Sequence, residues 1–210
     1  MSLFLGPIHY WLYNKIQWFE GIEKDIYNWA KNQNLPVEEM KERIYADFGE
    51  LTGNKPLEEV IDTSNIHGWL QSKIRSAELR QAALVTGILQ KDISYKENLA
   101  EIFRKQGEEA ARNYDKEVFT PEEAYHAMND FILEGMPCDR VNQVVSIDEN
   151  EFIWETTVCL HRKYWEEVQG DVRNFYDLRE NWMKSFVKIL NPLLKYEKLS
   201  DRMHRIVKAA

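Results

Sequence analysis

Two short stretches of the chain repeat residue types that could build a binding site. The stretch from Ile8 to Ile16 reads IHYWLYNKI and the stretch from Ile66 to Ile74 reads IHGWLQSKI, so six of the nine positions are identical. Because histidine, tryptophan and lysine are chemically distinctive, chance is a poor explanation for the match. The matched pairs are His9 with His67, Trp11 with Trp69, and Lys15 with Lys73, and Glu20 matches Glu78 at the same offset.

The matched histidines and glutamates are residue types that bind metal ions in helical bundles. On one helix His9 and Glu20 share a face but lie roughly 16 Å apart along the axis. Parallel pairing of the two stretches would place His9 beside His67, and Glu20 beside Glu78 further along. Di-iron bundles gather such groups, but they place Glu and His three residues apart, which these stretches do not. The alternative to a divalent metal site is that the histidines cap or fill their own helices.

The lysines lie where a helix would normally bury an apolar side chain. Helical projection puts Lys15 in the apolar stripe one turn after Trp11, and Lys73 has the same relation to Trp69. Each ammonium group could rest on the indole, which is worth about 0.5 to 2 kcal/mol, or pair with a buried carboxylate. The functional alternative is that lysines, histidines and tryptophans line an internal pocket for an anionic or aromatic ligand.

A second candidate for chemistry lies at Cys159. Cys159 and His161 are two residues apart, so on a β-strand both side chains would point to one face, where an imidazole could activate a thiolate. The alternative is that Cys159 is a small buried apolar residue. Cys138 is interpreted as part of a loop after Pro137, and two cysteines are too few for a disulfide framework.

The segment from Val158 to Trp165 resembles part of the bacterial 2-amino-thiazoline-carboxylate hydrolases, as a strand that ends in a cysteine and runs into a helix. The resemblance covers less than a third of the chain, and the further cysteines of that family are not present. No site residue is therefore assigned from it, and hydrolysis by Cys159 and His161 depends on their spacing alone.

These residues would be positioned by two predicted helical hairpins. Apolar residues recur at helical spacing after Pro7 and again after Ser64, which is the predicted cap of the second long helix. Matching residues 8–60 with residues 66–118 gives an internal duplication, and units of this size usually pack against each other. Residues 1–118 are therefore predicted to form a four-helix bundle in which the two long helices run parallel, within a mostly α-helical fold.

Residues 119–210 are predicted to contain further helices and one β-hairpin. The hairpin covers residues 141–160, where apolar and polar residues alternate on the second strand, after a turn at residues 148–150. A lone hairpin is marginally stable, so it is expected to pack on the helices as part of one globular unit. A last short helix is predicted from Ser200 to Lys208, with cations near its end, where they suit the helix dipole.

Composition and charge restrict the classes of partner. The 210 residues are 44% hydrophobic and 12% aromatic, which is enough for a substantial core. Lys and Arg total 27 against 35 Asp and Glu, without a basic cluster, which argues against nucleic acid as a partner. No apolar run reaches the roughly 20 residues that span a bilayer, and Met1–Leu5 is not a signal peptide, so a cytoplasmic protein is expected.

The leading hypothesis is a bundle that binds a divalent metal or a small anionic or aromatic ligand between its two long helices. The second is a small-molecule hydrolase that uses Cys159 and His161. The third is an interaction protein that assembles through its aromatic faces, with another copy of the chain as a candidate partner. The leading hypothesis assigns Lys15, Lys73, Trp11 and Trp69 to ligand binding, and His9, His67, Glu20 and Glu78 to metal binding.

Overall fold

The computed structural model describes residues 5–209, and the fold is mostly helical, as predicted, with 60% of residues in helices. Within these residues no helix is long and apolar enough to cross a membrane. The helices are α1 (Pro7–Asn32), α2 (Val37–Phe48), α3 (Leu57–Val60), α4 (Ile66–Lys91), α5 (Tyr95–Asn113), α6 (Pro121–Asn129), α7 (Arg162–Glu167) and α8 (Val172–Leu190). The strands are β1 (Asn142–Ile147), β2 (Glu151–Thr156), β3 (Leu194–Lys198) and β4 (Met203–Lys208).

The chain divides into two compact units. Unit 1 comprises the residues up to Ile93 together with His161–Asp171, and it contains α1 to α4 and α7. Unit 2 comprises Ser94–Leu160 and the residues from Val172 onward, and it contains α5, α6, α8 and the four strands. The predicted bundle of residues 1–118 is therefore not one unit, because α5 packs along α8 within unit 2.

Unit 1 is built around α1 and α4, each 26 residues long. His9 lies beside His67 near the start of the two helices, and the Glu20 carboxylate meets the Arg80 guanidinium further along, so the helices run parallel, as predicted. α2 and α7 pack on α4. The predicted apolar stripes are buried except at their first α1 residue, Ile8, which is 49% exposed where the helix begins. The buried members are Leu12, Ile16, Phe19, Ile26 and Ala30 on α1, and Ile66, Leu70, Ile74, Ala77, Leu84 and Ile88 on α4.

The two copies predicted from the repeat are alike in their long helices only. α2 has 12 residues and α5 has 19, and these two helices lie in different units. Residues 115–118, which match α3 at the 58-residue offset of the repeat, form no helix. The likeness of the copies therefore does not extend beyond α1 and α4.

Unit 2 has helices on one face of its sheet. α5 and α8 approach closely because Gly107 on α5 brings its backbone against Trp182 and Ser185 on α8. The indole N–H of Trp182 donates a hydrogen bond of 2.9 Å to the side-chain oxygen of Gln106, which satisfies both buried polar groups. α6 and α8 in turn contact the strands, so α8 is packed between α5 and the sheet.

The sheet has the strand order β1-β2-β4-β3, and each neighbouring pair is antiparallel. Alternate side chains face the helices, so Phe152 and Trp154 on β2 and His204 and Ile206 on β4 are buried. On the opposite face Arg205 forms ion pairs with glutamates of both neighbouring strands. One face of the sheet is therefore core and the other is partly exposed and charged.

The prediction of a C-terminal helix from Ser200 to Lys208 is wrong, because this segment contains strand β4. β4 pairs with both β2 and β3, so the single predicted hairpin becomes a four-stranded sheet. The buried side chains of His204 and Ile206 alternate with the part-exposed Arg205, which is the period of a strand. Cations in this segment pair across the sheet and do not mark a helix end.

Two predicted element boundaries also shift. The strand predicted to reach Leu160 ends at Thr156, and the residues after it are irregular. The cap of α4 is Asn65, whose side-chain oxygen accepts a hydrogen bond of 3.2 Å from the backbone N–H of Gly68, whereas Ser64 was predicted. Serine and asparagine cap helices about equally well, so the sequence does not distinguish Ser64 from Asn65. The local backbone conformation decides which of the two is the cap.

Replacing Gly107 by alanine should destabilise unit 2. A Cβ atom there would overlap the Trp182 carbonyl oxygen and the Ser185 hydroxyl oxygen. Overpacking of this kind typically costs about 1 to 3 kcal/mol, which outweighs the gain of about 1 kcal/mol in helix propensity. Urea denaturation of the variant should therefore give a lower free energy of unfolding than the wild type.

Gly87→Ala is the matched control for this substitution, on α4. A Cβ atom at Gly87 would meet the Met40 methyl carbon at 3.4 Å, which is an ordinary contact. We expect this change to be neutral or to stabilise by up to about 1 kcal/mol. Equal effects of the two substitutions would contradict the close approach of α5 and α8.

Candidate functional site

The repeated histidines lie side by side at the start of α1 and α4. The ring centroids of His9 and His67 are 5.7 Å apart. Nδ1 of His9 accepts a hydrogen bond of 2.9 Å from the backbone N–H of Gly6, while His67 is exposed. The imidazoles are therefore brought together as parallel packing predicts, but one ring nitrogen of His9 already caps its own helix.

Each repeated lysine lies against the tryptophan one turn before it. The Lys15 ammonium nitrogen is 3.8 Å from the centroid of the Trp11 ring, and Lys15 is only 3% exposed. The Lys73 ammonium nitrogen is 5.5 Å from the Trp69 ring, and Lys73 is half-buried. Both distances fit a cation–π contact, so the structural interpretation accounts for two lysines within an apolar stripe.

Glu20 does not lie beside the histidines but binds Thr52 and Arg80 of the same unit. Its carboxylate accepts hydrogen bonds from the backbone N–H of Thr52 at 3.0 and 3.1 Å and from the Thr52 hydroxyl at 2.5 Å. The same carboxylate pairs with the Arg80 guanidinium at 2.5 Å, and both side chains are buried. The carboxylate is therefore occupied by protein donors on both oxygens.

Arg80 is the centre of a buried ionic network in unit 1. It is 0% exposed, and its Nε donates to the Glu23 carboxylate at 2.9 Å. Its Nη1 donates to the Ser76 hydroxyl at 2.6 Å and to the backbone carbonyls of Gly49 and Glu50 at 3.3 and 3.2 Å. Burial raises the pKa of Glu23 above its ordinary value, and the Arg80 charge acts against that rise.

Glu78 has a different partner from its repeat counterpart. Its Oε1 lies 2.9 Å from Nδ1 of His161, and both side chains are buried. Because Glu20 and Glu78 belong to separate networks, the predicted metal set is not assembled. Within residues 5–209 no group of three or more His, Cys, Asp or Glu side chains could hold a metal ion.

Cys159 lies outside the strand on which it was predicted. Because β2 ends at Thr156, alternation on a strand does not relate Cys159 to His161. Cys159 is half-buried, and its sulfur accepts a hydrogen bond of 2.9 Å from the Tyr176 hydroxyl of α8. Burial raises the pKa of Tyr176, so this hydroxyl stays protonated as a donor.

Tyr176 also lines a cavity in unit 2, between the core face of the sheet and α6 and α8. The cavity has a volume of about 20 Å³, enough for about one water molecule. Its wall combines a charged pair, aromatic rings and hydrogen-bonding groups. The polar and aromatic wall residues include Tyr125, Glu134, Trp154, Tyr176, Arg179 and His204.

The charged pair of this cavity is Arg179 with Glu134. The guanidinium and carboxylate form an ion pair, and the side chains are only 12% and 11% exposed. The guanidinium carbon also lies 5.6 Å from the centroid of the Phe175 ring. Few solvent molecules screen this pair, so its electrostatic influence inside the cavity is stronger than that of a surface ion pair.

The aromatic wall stacks on the core face of the sheet. The Tyr125 ring lies 4.4 Å from Phe152 and 4.9 Å from Trp154, centroid to centroid. The His204 ring stacks on Trp154 at 5.3 Å, and its Nδ1 lies 2.7 Å from the Tyr196 hydroxyl oxygen. These contacts give the cavity one side of packed aromatic rings.

His204 is held neutral in this environment. Burial first, and the nearby Arg179 charge second, lower its pKa from 6.5 to about 4. At neutral pH the imidazole therefore carries no charge and can exchange a hydrogen bond with Tyr196. The cavity thus has one cation, Arg179, whose charge is balanced by Glu134.

The residues of these networks differ from the predicted site residues. Arg80 was not assigned, although it lies three residues after Ala77 and four before Leu84, within the buried stripe of α4. The position of a charged residue inside an apolar stripe was thus the sequence feature that could have indicated a buried ionic network. Glu134 and Arg179 are 45 residues apart in sequence, and no local pattern connects them.

Comparison of the chain with protein-family models, with curated proteins and with solved structures finds no match. The resemblance of the segment around Cys159 to a hydrolase family therefore has no support from a family model.

The neutral state of His204 predicts an acid-dependent loss of stability. Its pKa is lower in the folded protein than the ordinary 6.5 of an unfolded chain, so the unfolded state takes up the proton first as pH falls. The stabilisation is complete above the unfolded pKa and is lost between 6.5 and about 4. The difference between about pH 7 and about pH 5 should be about 2 kcal/mol in the free energy of unfolding.

The double variant Tyr196→Phe with His204→Phe should reduce this pH dependence, because both members of the hydrogen-bonded pair become apolar. Tyr196→Phe alone is the control, since it keeps the titrating imidazole. Urea denaturation at the two pH values measures the difference. An unchanged pH dependence in the double variant would show that His204 is not the responsible group.

Proposed function

We propose that unit 2 binds a small planar molecule that carries a carboxylate, in the cavity between the sheet and α6 and α8. The observation that carries this proposal is the Arg179 guanidinium, largely buried at the wall of a cavity with aromatic sides. Cavities of mainly apolar lining with a few polar groups are typical of small-molecule sites. The sequence hypothesis placed a small-molecule site between the two long helices of unit 1, whereas this proposal places the site in unit 2.

The chemistry of the wall selects the ligand class. A guanidinium binds a carboxylate through two parallel hydrogen bonds, which fixes the position of a planar acid. The Tyr125 and Trp154 rings, tilted by 55° to each other, offer two apolar faces, and an aromatic or conjugated ligand can stack on one of them. Because Glu134 pairs with Arg179 in this structure, the ligand carboxylate would replace Glu134 as partner of the guanidinium.

Binding requires the cavity to widen from about 20 Å³. Two wall residues, Met128 and Met183, have unbranched side chains that change rotamer at low cost. Release of Arg179 from Glu134 would open the same side of the cavity. Among aromatic acids, a ligand with one ring and one carboxylate requires the least widening of the cavity, and its charge is complementary to Arg179.

Benzoate is a suitable probe for this proposal. We expect saturation-transfer NMR to detect benzoate on the wild-type protein and to detect benzamide, its neutral analogue, at least about tenfold more weakly. Arg179→Met should abolish the benzoate signal, because the guanidinium is the group that selects the carboxylate.

Arg205→Met is the matched control for Arg179→Met. Arg205 is also an ion-paired arginine of unit 2, but it lies on the opposite face of the sheet from the cavity. This variant should bind benzoate as the wild type does. Loss of binding in both variants, or equal binding of benzoate and benzamide, would rule out a carboxylate site at Arg179.

A second candidate function is hydrolysis through Cys159. It is favoured by the hydrogen bond from Tyr176, a cavity residue, to the Cys159 sulfur, since a donor stabilises the thiolate that acts as nucleophile. His161, the predicted base, belongs to unit 1, where its Nδ1 lies 2.9 Å from Oε1 of Glu78. Tyr176 connects this candidate to the cavity, because it lines the cavity and also donates a hydrogen bond to the Cys159 sulfur.

Alkylation by iodoacetamide tests this second candidate in a Cys138→Ser background, which removes the exposed cysteine. Cys159 should be alkylated at neutral pH, and Tyr176→Phe should slow the reaction by about tenfold, because the sulfur loses the hydroxyl donor that stabilises its thiolate. His161→Ala reports separately on the predicted base. An unreactive Cys159, or no effect of either substitution, would exclude a nucleophilic role.

A further inference from the structure

The edge strand β1 exposes an unusual amount of apolar surface. Its sequence, NQVVSI, contains no charged residue. Val144, Val145 and Ile147 are 45%, 53% and 50% exposed. Its backbone has a neighbour only on the β2 side within the described sheet, so the other edge presents free hydrogen-bonding groups.

The opposite edge of the same sheet is built differently. β3 has the sequence LKYEK, with Lys195, Glu197 and Lys198 among its five residues. Charged residues, lysine above all, are a common protection of edge strands against pairing with another chain. One edge of the sheet therefore carries this protection and the β1 edge lacks it.

A β-bulge extends the apolar face of the sheet to the β1 edge. Val144 pairs with Trp154 and Ile147 pairs with Phe152, while the register shifts between Val144 and Ser146. Since paired residues share a face, Val144 and Ile147 lie on the core face although they are three residues apart. The core layer of unit 2 thus continues to an edge where its last side chains are exposed.

The segments that flank β1 differ in charge, with Asp139 and Arg140 before the strand and Asp148 and Glu149 after it. Arg140 precedes the strand and Glu149 follows it, and both side chains are exposed. Neither forms an ion pair with another part of residues 5–209. If two copies of β1 pair antiparallel, Arg140 of one copy lies near Glu149 of the second copy, and the symmetric contact forms at the other end.

We propose that two copies of this chain form a homodimer through antiparallel pairing of their β1 strands. The pairing joins the two sheets and covers Val144 and Ile147 of each copy with those of the other. The flanking charges set the antiparallel direction, because parallel pairing would put like charges together. A bulge weakens strand pairing locally, so the interface depends on side-chain contacts and charges together with backbone hydrogen bonds.

Sedimentation velocity of the full chain over a concentration series tests the dimer. We expect the wild type to dimerise with increasing concentration and Val144→Lys to raise the dissociation constant by at least about tenfold. Leu193→Lys is the matched control, because it places the same charge at a 70% exposed apolar residue next to β3. Circular dichroism and thermal unfolding establish that each variant is folded.

Charge reversal tests the geometry of the pairing. Arg140→Glu should weaken the dimer severalfold, and adding Glu149→Arg should restore it, since the pair is then reversed but still complementary. A wild type that stays monomeric at all concentrations overturns the proposal. So does a dimer that is insensitive to Val144→Lys, that is lost with Leu193→Lys, or that does not recover in the charge-reversed double variant.

Discussion

One buried guanidinium fixes the packing of unit 1. Arg80 on α4 binds the carboxylates of Glu20 and Glu23 on α1 and the carbonyls of Gly49 and Glu50 after α2. A guanidinium has five donors in one plane, so a single side chain can join three segments, which an ammonium group could not do in the same way. Removing one partner of a buried pair costs about 3 to 5 kcal/mol. The apolar stripes of α1 and α4 therefore pack only in the register that completes this network.

Unit 2 combines apolar packing and charge in a different manner. Its sheet is covered on one face, and the cavity at that face contains the Arg179 and Glu134 pair beside stacked aromatic rings. In unit 1 Arg80 and Glu20 are hydrogen-bonded to several protein groups, whereas in unit 2 Arg179 and Glu134 line a space that a ligand could enter. This difference is the reason for assigning the proposed binding function to unit 2.

The repeat illustrates how identical residues acquire different surroundings. Glu20 and Glu78 match at the 58-residue offset of the repeated stretches, yet Glu20 binds Arg80 and Thr52 while Glu78 binds His161. α1 and α4 turn different faces to each other, since Glu20 meets Arg80 of α4 whereas Glu78 meets His161. Position on a helix therefore determined that both carboxylates are buried, and the neighbouring segments determined what each one binds.

The sequence alone determined the two long helices, because apolar residues at helical spacing continue through 26 residues in each of them. It also determined the parallel arrangement of α1 and α4, with His9 beside His67. Only the tertiary structure decided that the segment after Ser200 is a strand, since its pairing with β2 outweighs its own weak pattern. The same holds for the buried networks, because Arg80 and Glu20 are 60 residues apart and meet only when two helices pack. Contacts between residues far apart in sequence produce no pattern of local spacing. The polar networks of both units could therefore be identified only from the tertiary structure.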